Sequence, residues 1–212
     1  MTDTAETARL YLVAPPRFEI ADFAPRLEDA LGAGDVAAVL LAAEGTREDV
    51  LAPLVQTIQR AGAAALVADD TRLAGHLKAD GVHVSGRLDE LRLAVESFRP
   101  KRIVGAGGLS SRHAAMQAGD LDIDYVFFGR PHLDTHDAAH PKAVELAEWW
   151  SDMMQIPAVL MAGRSLESVA EAAATGADFV ALHAAVWAHP QGPGEAVRQA
   201  AATLAQEGRR AA

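Results

Sequence analysis

Two adjacent carboxylates, Asp69 and Asp70, follow the apolar run AALVA. Such a pair can hold a hard cation such as Mg2+ between the protein and the phosphates of a substrate. The competing reading is a helix N-cap, because Thr71 and a helix-forming stretch come next. Further on, Asp80-Gly81-Val82-His83 leads into another apolar run and puts a histidine on a buried strand, where it either packs or takes part in the site; Asp89 could reach the same metal as Asp69 or serve as the surface acid of a first helical turn. Gly105-Ala106-Gly107-Gly108 precedes Ser110, Ser111 and a helix, and amides exposed by glycines at a helix start suit an anion.

The segment from Arg130 to His140 holds His132, His136 and His140 together with Asp134 and Asp137. Its histidines are spaced by four, which would suit a metal on a helix face, but Pro131 and Pro141 bracket it as a polar loop. Arg130, just past a buried run, is placed to meet a phosphate as a fixed cation. Two late runs end in Ala162-Gly163-Arg164-Ser165 and Leu182-His183-Ala184-Ala185. Gly163 allows close approach of an anion to the backbone, Arg164 supplies charge, and His183 and Ala184 sit at the matching place one unit later.

Eight elements must position these groups. The runs RLYLVAPP, VAAVLLAA, AALVADD, GVHVSG, RIVGAGG, YVFFGRP, PAVLMAG and FVALHAA are continuous rather than alternating. Each therefore reads as a strand buried on both faces of a parallel sheet. The stretches between them predict helices at about 21–31, 47–60, 72–78, 89–98, one after Ser110 or Ser111, and then 142–154, 166–174 and 194–206, with Thr46 and Ser165 as N-caps. Eight such units in 212 residues predict a small single-domain (β/α)8 TIM barrel spanning 1–212, whose chemistry lies at the C-terminal strand ends. A doubly wound open sheet is the rival. It is disfavoured by the count of eight and by the absence of a glycine-rich dinucleotide turn, since the first strand ends in Ala14-Pro15-Pro16. The longest connection, Gly129–Pro141, is the natural lid or binding loop.

Composition narrows the partners. A net charge of -10 argues against nucleic acid, and no apolar run is long enough to span a membrane. There are no cysteines, which excludes disulfides and thiolate chemistry, and the start MTDTAETARL lacks a basic, apolar leader, so a cytoplasmic protein is expected. Trp149, Trp150 and Trp187 serve either helix packing or a homodimer contact.

The order of Leu10-Tyr11-Leu12-Val13, Asp69 with Leu73-Ala74, Asp80-Gly81-Val82-His83, Asp124-Tyr125-Val126 with Phe128-Gly129, Ile156-Pro157, Gly163 and Gly176-Ala177 resembles the thiamine phosphate synthase family, which includes thiazole tautomerases. The resemblance covers nearly the whole chain. It implies a small (β/α)8 barrel that joins a hydroxymethylpyrimidine diphosphate to a thiazole phosphate and releases pyrophosphate, with Mg2+ on Asp69 and Asp89. It implies a catalytic role for Asp69 and phosphate contacts at Gly107, Gly108, Gly163 and Ala184, to which position at the strand ends adds Arg130 as a catalytic cation and Arg164 and His183 as phosphate contacts. The partner it implies is a small phosphorylated heterocycle. The chain also departs from the family pattern. The family's Gln-x-Arg-x-Lys on strand 2 reads Leu40, Ala42 and Glu44, the Asn before the metal Asp is Ala68, the strand 5 Ser falls at Gly107-Gly108, and the strand 8 Ser is Ala184. The strand 6 Thr-x-Thr-Lys has only Thr135 nearby, and the tautomerase histidine position holds Ser110, with His113 three residues later. Two alternatives are therefore carried: a tautomerase-like enzyme, and a non-catalytic barrel that binds a phosphate ligand.

Overall fold

The computed structural model describes residues 7–42 and 47–211, with side chains described to residue 209. The predicted cap Thr46 and the strand 2 position Glu44 lie outside the described residues. Eight strands, β1 (Arg9–Val13), β2 (Val36–Leu41), β3 (Ala64–Ala68), β4 (Gly81–Val84), β5 (Ile103–Ala106), β6 (Tyr125–Phe128), β7 (Ala158–Met161) and β8 (Phe179–Leu182), coincide with the eight apolar runs. They pair in sequence order, all parallel, and β1 closes on β8 through pairs such as Leu10 with Val180 and Leu12 with Leu182. The expected closed barrel is the observed one.

Continuous apolar runs are needed here because both strand faces are covered. Tyr11, Val13, Leu40, Leu66, Tyr125, Phe127, Val159 and Met161 fill the lumen. The alternate residues, among them Leu10, Leu12, Val39, Val67, Val104, Val126 and Leu160, pack outward against the helices. Those helices are α1 (Ile20–Leu31), α2 (Glu48–Arg60), α3 (Thr71–His76), α4 (Leu88–Phe98), α5 (Arg112–Gly119), α6 (Pro141–Met153), α7 (Ser168–Ala174), α8 (Ala184–Trp187) and α9 (Pro193–Ala211).

The floor of the barrel is tied by a repeated device. Asp80, Asp124 and Asp178 each sit just before a strand and accept the amide of a residue in the preceding strand: Ala65, Val104 and Ala158, each at 2.8 Å. Asp80, next to the DGVH motif's glycine, is thus a fastening at the N-terminal face, far from the strand ends where chemistry is expected.

Three expectations need correction. Ser165 does not begin α7; it forms a turn, its Oγ accepting from Glu167 N at 3.2 Å and its carbonyl accepting from Ser168 Oγ at 2.6 Å, so the helix starts at Ser168. The last helix runs beyond Gln206 to Ala211. A separate single turn, α8, follows β8 directly; four residues are too few to give a helical period in the sequence. The tryptophans pack within the subunit. Trp150 and Trp187 are buried, with Nε1 donating to Ile156 O at 2.7 Å and to Val13 O at 2.6 Å, while Trp149 lies under the Arg112 guanidinium.

Candidate functional site

Asp80 apart, the candidate residues singled out above lie toward the C-terminal rim in two groups. The first is built on β3, β4 and β5. Asp69 leaves β3 with a left-handed φ of 54°, a conformation that Asp and Asn tolerate better than most residues. Two bonds hold it there: its amide donates to His83 O at 2.8 Å, and its Oδ1 accepts from Ser85 N at 2.6 Å. Asp69 is exposed, and among the described residues its Oδ2 has no hydrogen bond. Desolvation against the barrel end raises the Asp69 pKa, the Ser85 amide opposes that, and the charge of Glu90 adds to it. Asp70 takes the capping role instead, its Oδ1 accepting from Leu73 N at 2.8 Å. Both readings of the aspartate pair therefore hold, one for each residue.

Asp89 lies in the exposed first turn of α4, with Arg87 Nη2 3.5 Å from its Oδ2. The carboxylate whose field reaches Asp69 is its neighbour Glu90, which accepts Arg87 N at 3.2 Å. Among the described residues no three His, Asp or Glu side chains are grouped as a metal cage. One free carboxylate oxygen at Asp69 fits Mg2+ that arrives on phosphates, because this ion keeps few protein ligands.

Gly107 and Gly108 complete this group. A Cβ on Gly107 would lie 2.5 Å from His83 Nε2 and 3.1 Å from Ser85 Oγ; Gly108 has φ 70° and would press within 2.5 Å of Ser85 O. Both positions require glycine. Beneath them His83 is fully buried, its Nδ1 3.0 Å from Tyr125 Oη, which is in turn 3.0 Å from Tyr11 Oη. Burial lowers the His83 pKa to about 4 and raises those of both tyrosines.

The second group joins β6, β7 and β8. The β6–α6 connection folds over the ends of its neighbours. Asp134 Oδ2 accepts from Ala184 N at 2.6 Å, and Asp137 Oδ1 pairs with Arg164 Nε at 2.7 Å. Arg164 N donates to His136 O at 2.9 Å. Gly163 is where this loop comes closest: a Cβ there would fall 2.1 Å from Asp137 O, and its amide donates to Ser168 Oγ at 2.9 Å. His183 Nδ1 lies 3.0 Å from Val13 O, and the His132 ring meets it edge-on at 5.0 Å. His132 has a left-handed φ of 66°; burial, then His183, lower its pKa to about 4, with Asp134 opposing. Arg130 is exposed, and among the described residues its guanidinium has no partner. A cleft of about 390 Å³ beside β1, lined by Pro15, Phe18, Arg26, His183 and Trp187, opens onto Ala184.

The structure thus brings Asp69, Gly107 and Gly108 together on one side, and Gly163, Arg164, His183 and Ala184 on the other. In the second group the loop's own carboxylates hold the Ala184 amide and the Arg164 guanidinium. Sequence reasoning missed Ser85 and Glu90, which shape the position and charge of Asp69. The Glu three residues after Arg87 was the available signal for Glu90.

A closed parallel barrel with its polar side chains on the C-terminal rim defines a (β/α)8 protein of the kind that handles small ligands at its strand ends. Residues 10–186 match the family model described as thiamine monophosphate synthase, and the chain belongs to that family. It is 37% identical over 211 residues to the thiamine-phosphate synthase of Hyphomonas neptunium, covering 93% of this chain and 96% of that protein. It is also 37% identical over 204 residues to that of Rhodospirillum centenum, with the same coverage. Among solved structures, thiamine phosphate pyrophosphorylase from Pyrococcus furiosus shares the fold at a TM-score of 0.76 and 18% identity, over 97% of this chain and 99% of that one. No helix among the described residues is long and apolar enough to cross a membrane.

Proposed function

We propose that this protein joins a hydroxymethylpyrimidine diphosphate to a thiazole phosphate in the cytoplasm, releasing pyrophosphate and forming thiamine phosphate. The observation that carries the reading is Asp69: an exposed carboxylate at the β3 end on left-handed backbone, with one oxygen on Ser85 N and the other without a hydrogen bond among the described residues, within a chain of this family. Mg2+ held by Asp69, with Asp89 as the second carboxylate, would neutralise the diphosphate as it leaves. The chain's own residues do the rest. Gly107 and Gly108 leave backbone room beside Asp69, and Arg130, exposed at the β6 end, is a cation without a side-chain partner among the described residues. The thiazole phosphate is assigned to Gly163, Arg164, His183 and Ala184, where it enters by displacing Asp134 and Asp137. Positioning of two reactants and stabilisation of developing charge then supply the rate.

One observation favours a second reading, a barrel that binds a phosphate ligand without transfer. Strand 2 presents Leu40, fully buried in the lumen, and Ala42 where the resemblance places diphosphate-binding polar groups. Thermal shift separates the two. A synthase is stabilised by pyrophosphate with Mg2+ and, separately, by thiazole phosphate. Stabilisation by thiazole phosphate alone would support the binding barrel and overturn the transferase.

A further inference from the structure

The β6–α6 connection leaves its strand through two left-handed residues three apart, Gly129 at φ 101° and His132 at φ 66°. Glycine takes the first freely, whereas histidine keeps the second only while contacts further along hold it there. Those contacts reach the neighbouring units. Asp134 Oδ2 accepts the Ala184 amide at 2.6 Å, Asp137 Oδ1 accepts from Arg164 Nε at 2.7 Å, and His136 O accepts from Arg164 N at 2.9 Å. Ala184 is the first residue of α8, so its amide has no partner inside that helix, and Asp134 occupies it.

The closed loop has no place for a proton on His132. Its Nδ1 is buried and has no hydrogen-bond partner among the described residues. An imidazolium donates from both nitrogens, so a charged His132 would bury an N–H with nothing to accept it. Nor do its neighbours supply that acceptor. From the β8 end comes His183, edge-on at 5.0 Å, whose Nδ1 must carry hydrogen because Val13 O, 3.0 Å away, can only accept. From its own loop comes Asp134, whose Oδ2 is already engaged by Ala184 N. Once the loop lifts, water can solvate both nitrogens.

We infer that the β6–α6 connection is an acid-released latch: His132 takes up a proton only when the loop lifts from β8, and that lifting frees the Ala184 amide for an anion. The inference rests on the proposed function for the identity of the anion, the thiazole phosphate.

Burial first, and then His183, lower the closed-state pKa of His132 from 6.5 to about 4, with Asp134 opposing. A depressed value means that closure is fully favoured above the ordinary pKa and weakens as pH falls toward the depressed one. Between pH 7.5 and 5.5 the ratio of open to closed loop therefore rises about tenfold.

The test is hydrogen exchange of the Ala184 amide in the full chain, read by NMR as a protection factor at these two pH values. The wild type is expected to lose about tenfold in protection at the lower pH, while the amides of β2 and β6 keep theirs. H132F, which cannot take a proton, and H132N, which also suits left-handed backbone, should show no such loss. H136F, altered at an exposed histidine of the same loop, should retain it. Sulfate, a dianion at both pH values, should bind about tenfold tighter at pH 5.5 in the wild type and within about twofold in H132F. Protection that does not change with pH, a loss that persists in H132F and H132N or vanishes in H136F, a loss shared by β2 and β6, or sulfate that leaves the Ala184 amide signal unmoved would overturn the inference without touching the evidence for turnover. An intact exchange response in a protein that forms no thiamine phosphate would uphold the latch and overturn the synthase reading.

Discussion

Replacing Asp134 with asparagine should strengthen the binding of a thiazole phosphate, the reverse of what losing a site residue usually does. In the structure Asp134 Oδ2 accepts the Ala184 amide at 2.6 Å, so the loop carries its own anion at a donor assigned to the phosphate. A carboxylate–amide bond contributes about 1.5–3 kcal/mol and a neutral amide oxygen about 0.5–1.5 kcal/mol. The substitution therefore lowers the cost of displacing the loop by about 1–1.5 kcal/mol, and it removes a negative charge from the path of a dianion. Together these amount to about tenfold tighter binding. The companion variant D137N should change affinity much less, because the Asp137–Arg164 pair is exposed on both sides (72% and 57%) and such pairs contribute about 0–1 kcal/mol. Titration calorimetry of the wild type and both variants reads this directly. If D134N bound thiazole phosphate more weakly than the wild type at unchanged Tm, Asp134 would be a ligand contact, and the competing-anion argument would be wrong.

Three further outcomes follow from the geometry. D69N should cut turnover by about 10- to 150-fold, from loss of one charge-assisted contact, yet should not lower stability at pH 7. A raised folded pKa means the stabilising protonated form is lost as pH climbs through that value, so the ionised carboxylate is a burden that Asn removes; denaturant melts at pH 7 check it. Acid should destabilise the fold between pH 6.5 and 4, because the His83 pKa is depressed to about 4: its contribution is complete above the unfolded value and lost as pH falls through the folded one. It amounts to about 3 kcal/mol, with the half-buried His132 adding in the same direction, and H83F should flatten this part of the pH–stability curve. G105A should destabilise by about 1–3 kcal/mol or more by chemical denaturation, since the new methyl would sit 1.9 Å from Cζ of the Tyr125 ring.

The barrel was legible because burial on both strand faces writes an uninterrupted apolar run, and eight of these leave little choice of architecture. The helices were legible to within a residue or two where glycine or a capping side chain marked an end, as at Gly32 and Ser111, whose Oγ accepts Ala114 N at 3.2 Å. What stayed hidden depends on contacts distant in sequence. Nothing near Asp134 announces that it holds Ala184 fifty residues on, and nothing near Asp80 shows that it fastens the preceding strand rather than serving the site. His83 could be placed on a buried strand from its neighbours, but its ring is held by Tyr125 Oη and covered by the close approach of Gly107, both distant in sequence. Asp69 and Asp70 show the same limit at short range: the residues are adjacent, and only backbone conformation decides which one caps and which one faces the rim.

The central claim is tested most directly by incubating the purified protein with hydroxymethylpyrimidine diphosphate, thiazole phosphate and Mg2+ and measuring thiamine phosphate. The account predicts steady turnover that collapses in D69A. No product from a folded protein that still binds thiazole phosphate would contradict it and leave a binding barrel in its place.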